Sequence, residues 1–303
     1  SGGVARAVVI NSKVANAATG DEGLRRARCQ AAITAEAVGC PDDEVLVAST
    51  GVIGVQLPLE NFEAGVPQAA AQLAATPNAA LRAANAIMTT DTQAKSCAVT
   101  FDGGSFGFPG QVFTVGGMAK GSGMIMPNMA TMIAVLTTDA PLASPDLSVA
   151  LKAAVGVSFN KVTVDSDTST NDTCILLSSG AAPGSAQTSD FAESTPGHAA
   201  FTAALTAVCT ALARAMAADG EGATRLITVN VTGAATPEDA DLAARTVANS
   251  PLVKTAVYGN DANWGRIAAA LGRSGARFRA QDVSIRIMGI PVCAGGMALD
   301  FDE

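Results

Sequence analysis

The chain has 303 residues, with 19 Lys and Arg against 27 Asp and Glu, and its net charge of −8 argues against nucleic-acid or anionic-membrane partners, which need a basic face. Hydrophobic residues make up 49% and charged ones 15%, a balance that excludes disorder and allows a large core. Trp264 and Tyr258 are each the only one of their kind, too few aromatics for a carbohydrate platform or a base-stacking surface. No apolar run reaches the roughly 18 residues of a membrane span, and the first residues lack a signal-peptide layout. Six scattered cysteines without C-x-x-C spacing point to neither a zinc site nor a disulfide framework, and a reducing cytoplasm is expected. The single histidine, His198, lies in the most loop-like stretch and reads as a surface residue. If the chain is an enzyme, its base is therefore a carboxylate, a lysine or a backbone amine.

Residues 5–11 form a β-branched run that predicts a strand, and 21–38 a helix stopped by Gly39-Cys40-Pro41. A second strand at 45–48 runs into the turn Ser49-Thr50-Gly51. Helices are predicted at 58–75 and 79–88, and strands at 98–101 and 112–115. After a Gly-rich stretch, a helix is predicted at 147–157 and strands at 162–165 and 173–177. Phe201, Leu205, Val208 and Leu212 mark one face of a helix ending near Asp219. The remainder reads as strand 226–231, helix 237–248, strand 253–257, helix 264–271 and strand 283–287. Such mixing implies an α/β or α+β fold. A domain change is expected near residue 224, giving a catalytic α/β domain over 1–224 and a smaller α+β domain over 225–303.

Residues 120–132, Lys-Gly-Ser-Gly-Met-Ile-Met-Pro-Asn-Met-Ala-Thr-Met, have three readings. A phosphate-cradling loop fails on order, because the lysine precedes the glycines. A plain turn between strands is the bland reading. The third is that Thr131 becomes the first residue of a cleaved chain. Its own α-amine, with an ordinary pKa of about 7.7–8.0, then serves as the base that its hydroxyl needs. Thr50 and Gly51 end a strand in a turn where a hydroxyl and a backbone N–H can face an oxyanion, or where a threonine merely caps the turn. Asp219-Gly220-Glu221-Gly222 sets carboxylates after a helix, where the dipole disfavours them; a substrate amine or a solvated turn accounts for that. Residues 165–172 are rich in oxygen ligands but hold Thr170 where a calcium loop wants Gly.

KGSGMIMPNMATMIAVLTTDA (120–140) resembles the cleavage-site motif of the ornithine acetyltransferases, the bifunctional glutamate N-acetyltransferases of arginine biosynthesis. VLVASTGVIG (45–54), AIMTTDT (86–92), DTSTND (167–172), DGEGAT (219–224), NSPLVKTA (249–256) and NWGR (263–266) resemble that family in the same order. The resemblance implies a precursor that cuts itself between Ala130 and Thr131, with Thr131 the nucleophile of the new chain. It implies an oxyanion hole from Thr50 and Gly51, and substrate binding by Thr89, Lys120, Thr131 and Glu221. The implied fold is the self-cleaving N-terminal-nucleophile α/β fold shared with related aminopeptidases, with mixed sheets layered by helices. The implied reaction is ping-pong transfer of an acetyl group from N-acetylornithine to glutamate, releasing ornithine and N-acetylglutamate. No metal or cofactor is called for, and acetyl-CoA is a possible acetyl donor. The implied assembly is a heterotetramer of two α and two β chains.

The sequence departs from the family at Lys13 and Ser166, where glycine is common, and looks incomplete at both ends. An aminopeptidase or amidase with the same nucleophile is the rival within enzymology. A truncated relative that binds amino acids without turnover is the rival outside it.

Overall fold

The computed structural model describes residues 2–126 and 132–301. Two compact units divide the chain, Ser1–Glu221 and Gly222–Glu303. In the first, β1 (Ala7–Asn11) and β2 (Val45–Ser49) pair in parallel, with Asn11 opposite Ser49. Between them runs α1 (Gly20–Val38), which stops at Gly39. Gly39 takes a left-handed φ of 75° and donates its N–H to the Ala35 carbonyl, the turn geometry that glycine adopts without a Cβ penalty. Two short helices follow, α2 (Leu59–Ala70) and α3 (Pro77–Ala86), the latter capped by the Thr76 hydroxyl.

The main sheet has the order β3 (Lys95–Gly103), β4 (Phe108–Lys120), β5 (Ile133–Thr138), β6 (Thr173–Ser178). The first three strands are antiparallel and β6 is parallel to β5, so the sheet is mixed. The parallel pair needs a crossover, supplied by α4 (Ser144–Val157). Helix α5 (Pro196–Ala218) lies along α4, β3 and β4. Its face Phe201, Leu205, Val208, Leu212 and Met216 is wholly buried with Phe113 and Phe191, and this is the core of the unit. Although α5 is long and apolar enough in composition to cross a membrane, that composition here serves a core.

The second unit has α6 (Pro237–Ala248), α7 (Pro251–Tyr258) and α8 (Trp264–Gly272), then a small antiparallel sheet of β7 (Ile285–Ile287), β8 (Ile290–Ala294) and β9 (Met297–Ala298). Its two small clusters centre on Val247, Val253 and Ala270, and on Ile285, Val292 and Cys293.

Several expectations fail for identifiable reasons. Residues 253–257, predicted as a strand, belong to α7, because Ser250 caps the helix and Pro251 opens it. Residues 226–231 keep the half-buried alternation of a strand but are assigned to none, since no ladder forms there among the described residues. Residues 162–165 include a strand-like bond, Val164 N–H to the Ile125 carbonyl at 2.6 Å, but belong to no strand among the described residues. Strand β5 was hidden in the Gly-rich stretch. His198 is buried within the first turn of α5, not exposed in a loop; its Nε2 lies 3.2 Å from the Asp146 carbonyl.

Candidate functional site

The register of the main sheet sets Lys120 opposite Ile133, and Ile133 opposite Thr173. One end of β4 thus meets the starts of β5 and β6. The Lys120 side chain is buried, and its Nζ donates to Thr50 Oγ1 at 3.4 Å. This contact brings the end of β2 to the end of β4. The turn after β2 is held by Thr50 N–H to the Asn11 carbonyl and Val52 N–H to the Lys13 carbonyl, both 3.0 Å. Gly51 sits at φ 133° against the Lys13 backbone, where a Cβ would collide with main-chain atoms, so glycine is required.

Behind Lys120 lies a cluster of buried charges. Lys95 Nζ donates to Asp91 Oδ1 at 2.7 Å and to Asp219 Oδ2 at 2.5 Å. Asp91 also accepts the N–H groups of Gly121 at 2.6 Å and Thr89 at 3.2 Å. Asp219 accepts the Thr92 N–H and hydroxyl, which explains an acid at the end of α5 where the dipole opposes it. Burial opposes ionisation of both aspartates, but the Lys95 bond and the backbone and hydroxyl donors outweigh it and hold both below the ordinary carboxylate range. Burial pushes the Lys120 ammonium below its ordinary range; Asp91, Asp172 and Glu221 oppose this shift and Lys95 adds to it.

The loop from 121 to 126 is fixed from several sides. Thr90 and Ser122 share a hydroxyl bond of 2.7 Å, Glu221 N–H donates to the Ser122 carbonyl at 2.7 Å, and Asp165 accepts the amides of Met124 and Ile125. The Glu221 carboxylate lies against Gly123, where a Cβ would leave it no room. Asp165 is thus a loop anchor, and its acidic neighbourhood has a structural use.

Asp172 holds the other side. Its Oδ1 accepts the Met132 N–H at 2.6 Å, while Thr173 N–H donates to the Met132 carbonyl at 2.8 Å. Asp172 Oδ2 is buried without a hydrogen-bond partner among the described residues. Burial pushes this carboxyl up to about 7, against the pull of the Met132 amide and the Lys120 charge. The raised value makes ionisation of Asp172 a cost to the fold. Its stabilising contribution is fully present below the unfolded-state value and is lost as pH rises towards about 7. Asp172→Asn is therefore expected to gain stability over the wild type between acid pH and pH 7, with the gain level above that. Urea midpoints across that range check it; a variant less stable at every pH contradicts it.

Among the residues read from the sequence, Thr50 and Lys120 are joined directly. Thr89 is tied to Gly121 through Asp91, and Glu221 to Ser122 and Gly123. Ala130 and Thr131 lie outside the described residues. Sequence reasoning gave no role to Asp91, Lys95 or Asp172. Asp91 and Asp172 stand inside the AIMTTDT and DTSTND motifs, which were the available signal.

The ArgJ family model matches residues 1–303. The chain belongs to the ArgJ family. It is 48% identical over 303 residues to the arginine biosynthesis bifunctional protein ArgJ of Chlorobaculum tepidum, covering 100% of this chain and 72% of that protein. The protein of the same name from Symbiobacterium thermophilum is 48% identical over 99% of this chain and 72% of its own length. The crystal structure of arginine biosynthesis bifunctional protein argJ from Bacillus halodurans aligns with a TM-score of 0.52 at 42% identity, over 55% of this chain and 77% of that one. Lys13 and Ser166, positions where the sequence resemblance leads us to expect glycine, have φ of 83° and 72°. Both lie in the left-handed region, where glycine carries no Cβ penalty.

Proposed function

We infer that this chain is an acetyltransferase of arginine biosynthesis that moves an acetyl group from N-acetylornithine to glutamate through Thr131. ArgJ-family membership over the full chain supports the acetyl transfer. The observation that carries the site is the Lys120–Thr50 contact at the sheet end where β5 begins, one residue beyond Met132. It supports a shared pocket for the Thr50–Gly51 turn, the buried Lys120 cation and the chain that follows Thr131.

In this mechanism the precursor cuts itself between Ala130 and Thr131 in the manner of an N-terminal-nucleophile fold. The freed α-amine of Thr131 takes the proton of its hydroxyl as the oxygen attacks the acetyl carbonyl. The Thr50 hydroxyl and the Gly51 N–H stabilise the oxyanion in a site already ordered by the Lys13 and Asn11 backbone bonds. Ornithine departs with the returned proton, and the amine of glutamate attacks the acetyl-threonine ester. Lys120 receives a substrate carboxylate, Glu221 a substrate ammonium, and Thr89 lies beside them. These opposite charges favour transfer between amino acids over hydrolysis by water. No metal or cofactor takes part. The two fragments remain together because β4 and β5 pair across the cut, and they assemble as two α and two β chains in the cytoplasm.

An assay with N-acetylornithine plus glutamate, then with acetyl-CoA alone, tests the function: N-acetylglutamate is expected in the first, and its absence there contradicts the reading. Thr50→Ala is expected to lower kcat by roughly 10²–10³-fold, about 2.7–4 kcal/mol, with the fold intact. A rate within threefold of wild type would remove Thr50 from the oxyanion hole.

A further inference from the structure

We propose that Asp172 is a positioning residue for the threonine chemistry: its carboxyl, set immediately before β6, holds the main chain at the residue following Thr131 where acetyl transfer needs it. This rests on the acetyl-transfer reading and adds a residue to it. Met132 is gripped at both its polar backbone atoms, by Asp172 Oδ1 at its N–H and by the Thr173 N–H at its carbonyl. The grip lies at the end of the sheet that also carries Lys120. Only the N–H bond depends on a side chain, so Asp172 is the part of the clamp that substitution can remove. An ionised acceptor makes that bond roughly twice as strong as a neutral one.

A structural staple alone does not explain this residue. Its second oxygen is buried and has no hydrogen-bond partner among the described residues, an arrangement rare enough in native structures to call for an explanation. Burial raises its pKa to about 7, so the carboxyl changes charge in the range where the enzyme would work. Lys120 on β4 is the cation that draws it down. From β6, Cys174 lines a small void beside it as a neutral thiol, itself pushed up to about 12 by burial. The groups on the other side are neutral: Asp172 also lines a cavity of about 250 Å³ with Asn16, Gln30, Ser49 and Asn171. That cavity is polar and large enough for several water molecules, which gives the carboxyl a path for proton exchange. Ser49, the residue before Thr50, accepts bonds there from the Asn16 N–H and Asn171 Nδ2. The same cavity wall therefore supports the turn proposed for the oxyanion hole.

Ionised Asp172 is the form that grips Met132 most firmly. Acetyl transfer should then require two deprotonations on the acid side, that of the Thr131 amine and that of Asp172. The test measures kcat, KM for N-acetylornithine and glutamate, and urea midpoints for wild type, Asp172→Asn and Asp172→Glu across the pH range. In wild type, the logarithm of kcat should rise with pH at a limiting slope of about two. Asp172→Asn should keep its fold, lose on the order of 10²-fold in kcat with KM changed less than threefold, and show a slope of about one. Asp172→Glu keeps a titrating group and should keep the steeper limb at lower kcat. A slope and kcat unchanged in Asp172→Asn would overturn the proposal while leaving the acetyl-transfer reading intact. If the Asn variant does not fold, a slope of about one in the Glu variant overturns it instead. A folded wild type without acetyl transfer refutes the underlying reading, and this inference with it.

Discussion

Thr131→Ala is expected to abolish acetyl transfer and to leave one uncut chain. The hydroxyl is needed twice in the proposed mechanism, first against the Ala130 carbonyl and then against the acetyl carbonyl. Only the first event frees the amine that serves as base in the second, so processing and activity must fail together. Removing the nucleophile of a comparable acyl-transfer site costs on the order of 10⁶-fold in rate. Thr131→Ser keeps a hydroxyl and is expected to cut and to retain activity at a reduced level. Denaturing gels and intact mass follow the cut, and N-acetylglutamate formation follows the activity. An alanine variant that is cut between Ala130 and position 131, or that turns over at a rate near wild type, would contradict both roles.

Lys95→Met is expected to produce the largest loss of stability. Lys95 is buried between Asp91 and Asp219, and its removal leaves two carboxylates facing each other with fewer donors. Breaking a buried ion pair by deleting one partner costs about 3–5 kcal/mol. The sign of the pH dependence follows from the lowered values of both aspartates. With Lys95 present, their contribution is in place above the ordinary carboxylate pKa of about 3.9 and is lost as pH falls through their lower folded values. The gap between variant and wild type should therefore narrow in acid. Urea denaturation at neutral and at acid pH measures it. Because Asp91 also holds the amides of Thr89 and Gly121, activity should fall along with stability. A variant within about 1 kcal/mol of wild type at neutral pH would show that the cluster is not the buried network described.

Local patterns carried much of the fold. The apolar face of α5 was readable at helical spacing, because each of its marked residues is buried against the same sheet. The β1–α1–β2 order was readable because its helix stop, Gly39-Cys40-Pro41, lies between two β-branched runs. Pairing was less legible. Residues 226–231 have the side-chain alternation of a strand without a ladder, and alternation reports a half-buried face and not a neighbour. Valines at 253 and 257 suggested a strand, but the Ser250–Pro251 start fixed a helix first. The site was legible where the chemistry was local, as in Ser49-Thr50-Gly51. It was illegible where charges meet across long separations: nothing in sequence spacing announces that Lys95 will neutralise Asp219. Asp172 looked like one acid in a polar stretch, and only burial beside Met132 distinguishes it.

The central claim is that Thr131 carries the acetyl group. It is tested most directly by mixing the purified protein with N-acetylornithine in the absence of glutamate, quenching in acid, and measuring the intact masses. The account predicts two polypeptides meeting at the Ala130–Thr131 junction, with the one that begins at Thr131 heavier by a single acetyl group, and a return to its original mass when glutamate is added before the quench. An active protein with an unbroken chain, or with the acetyl group on any other residue, would contradict it.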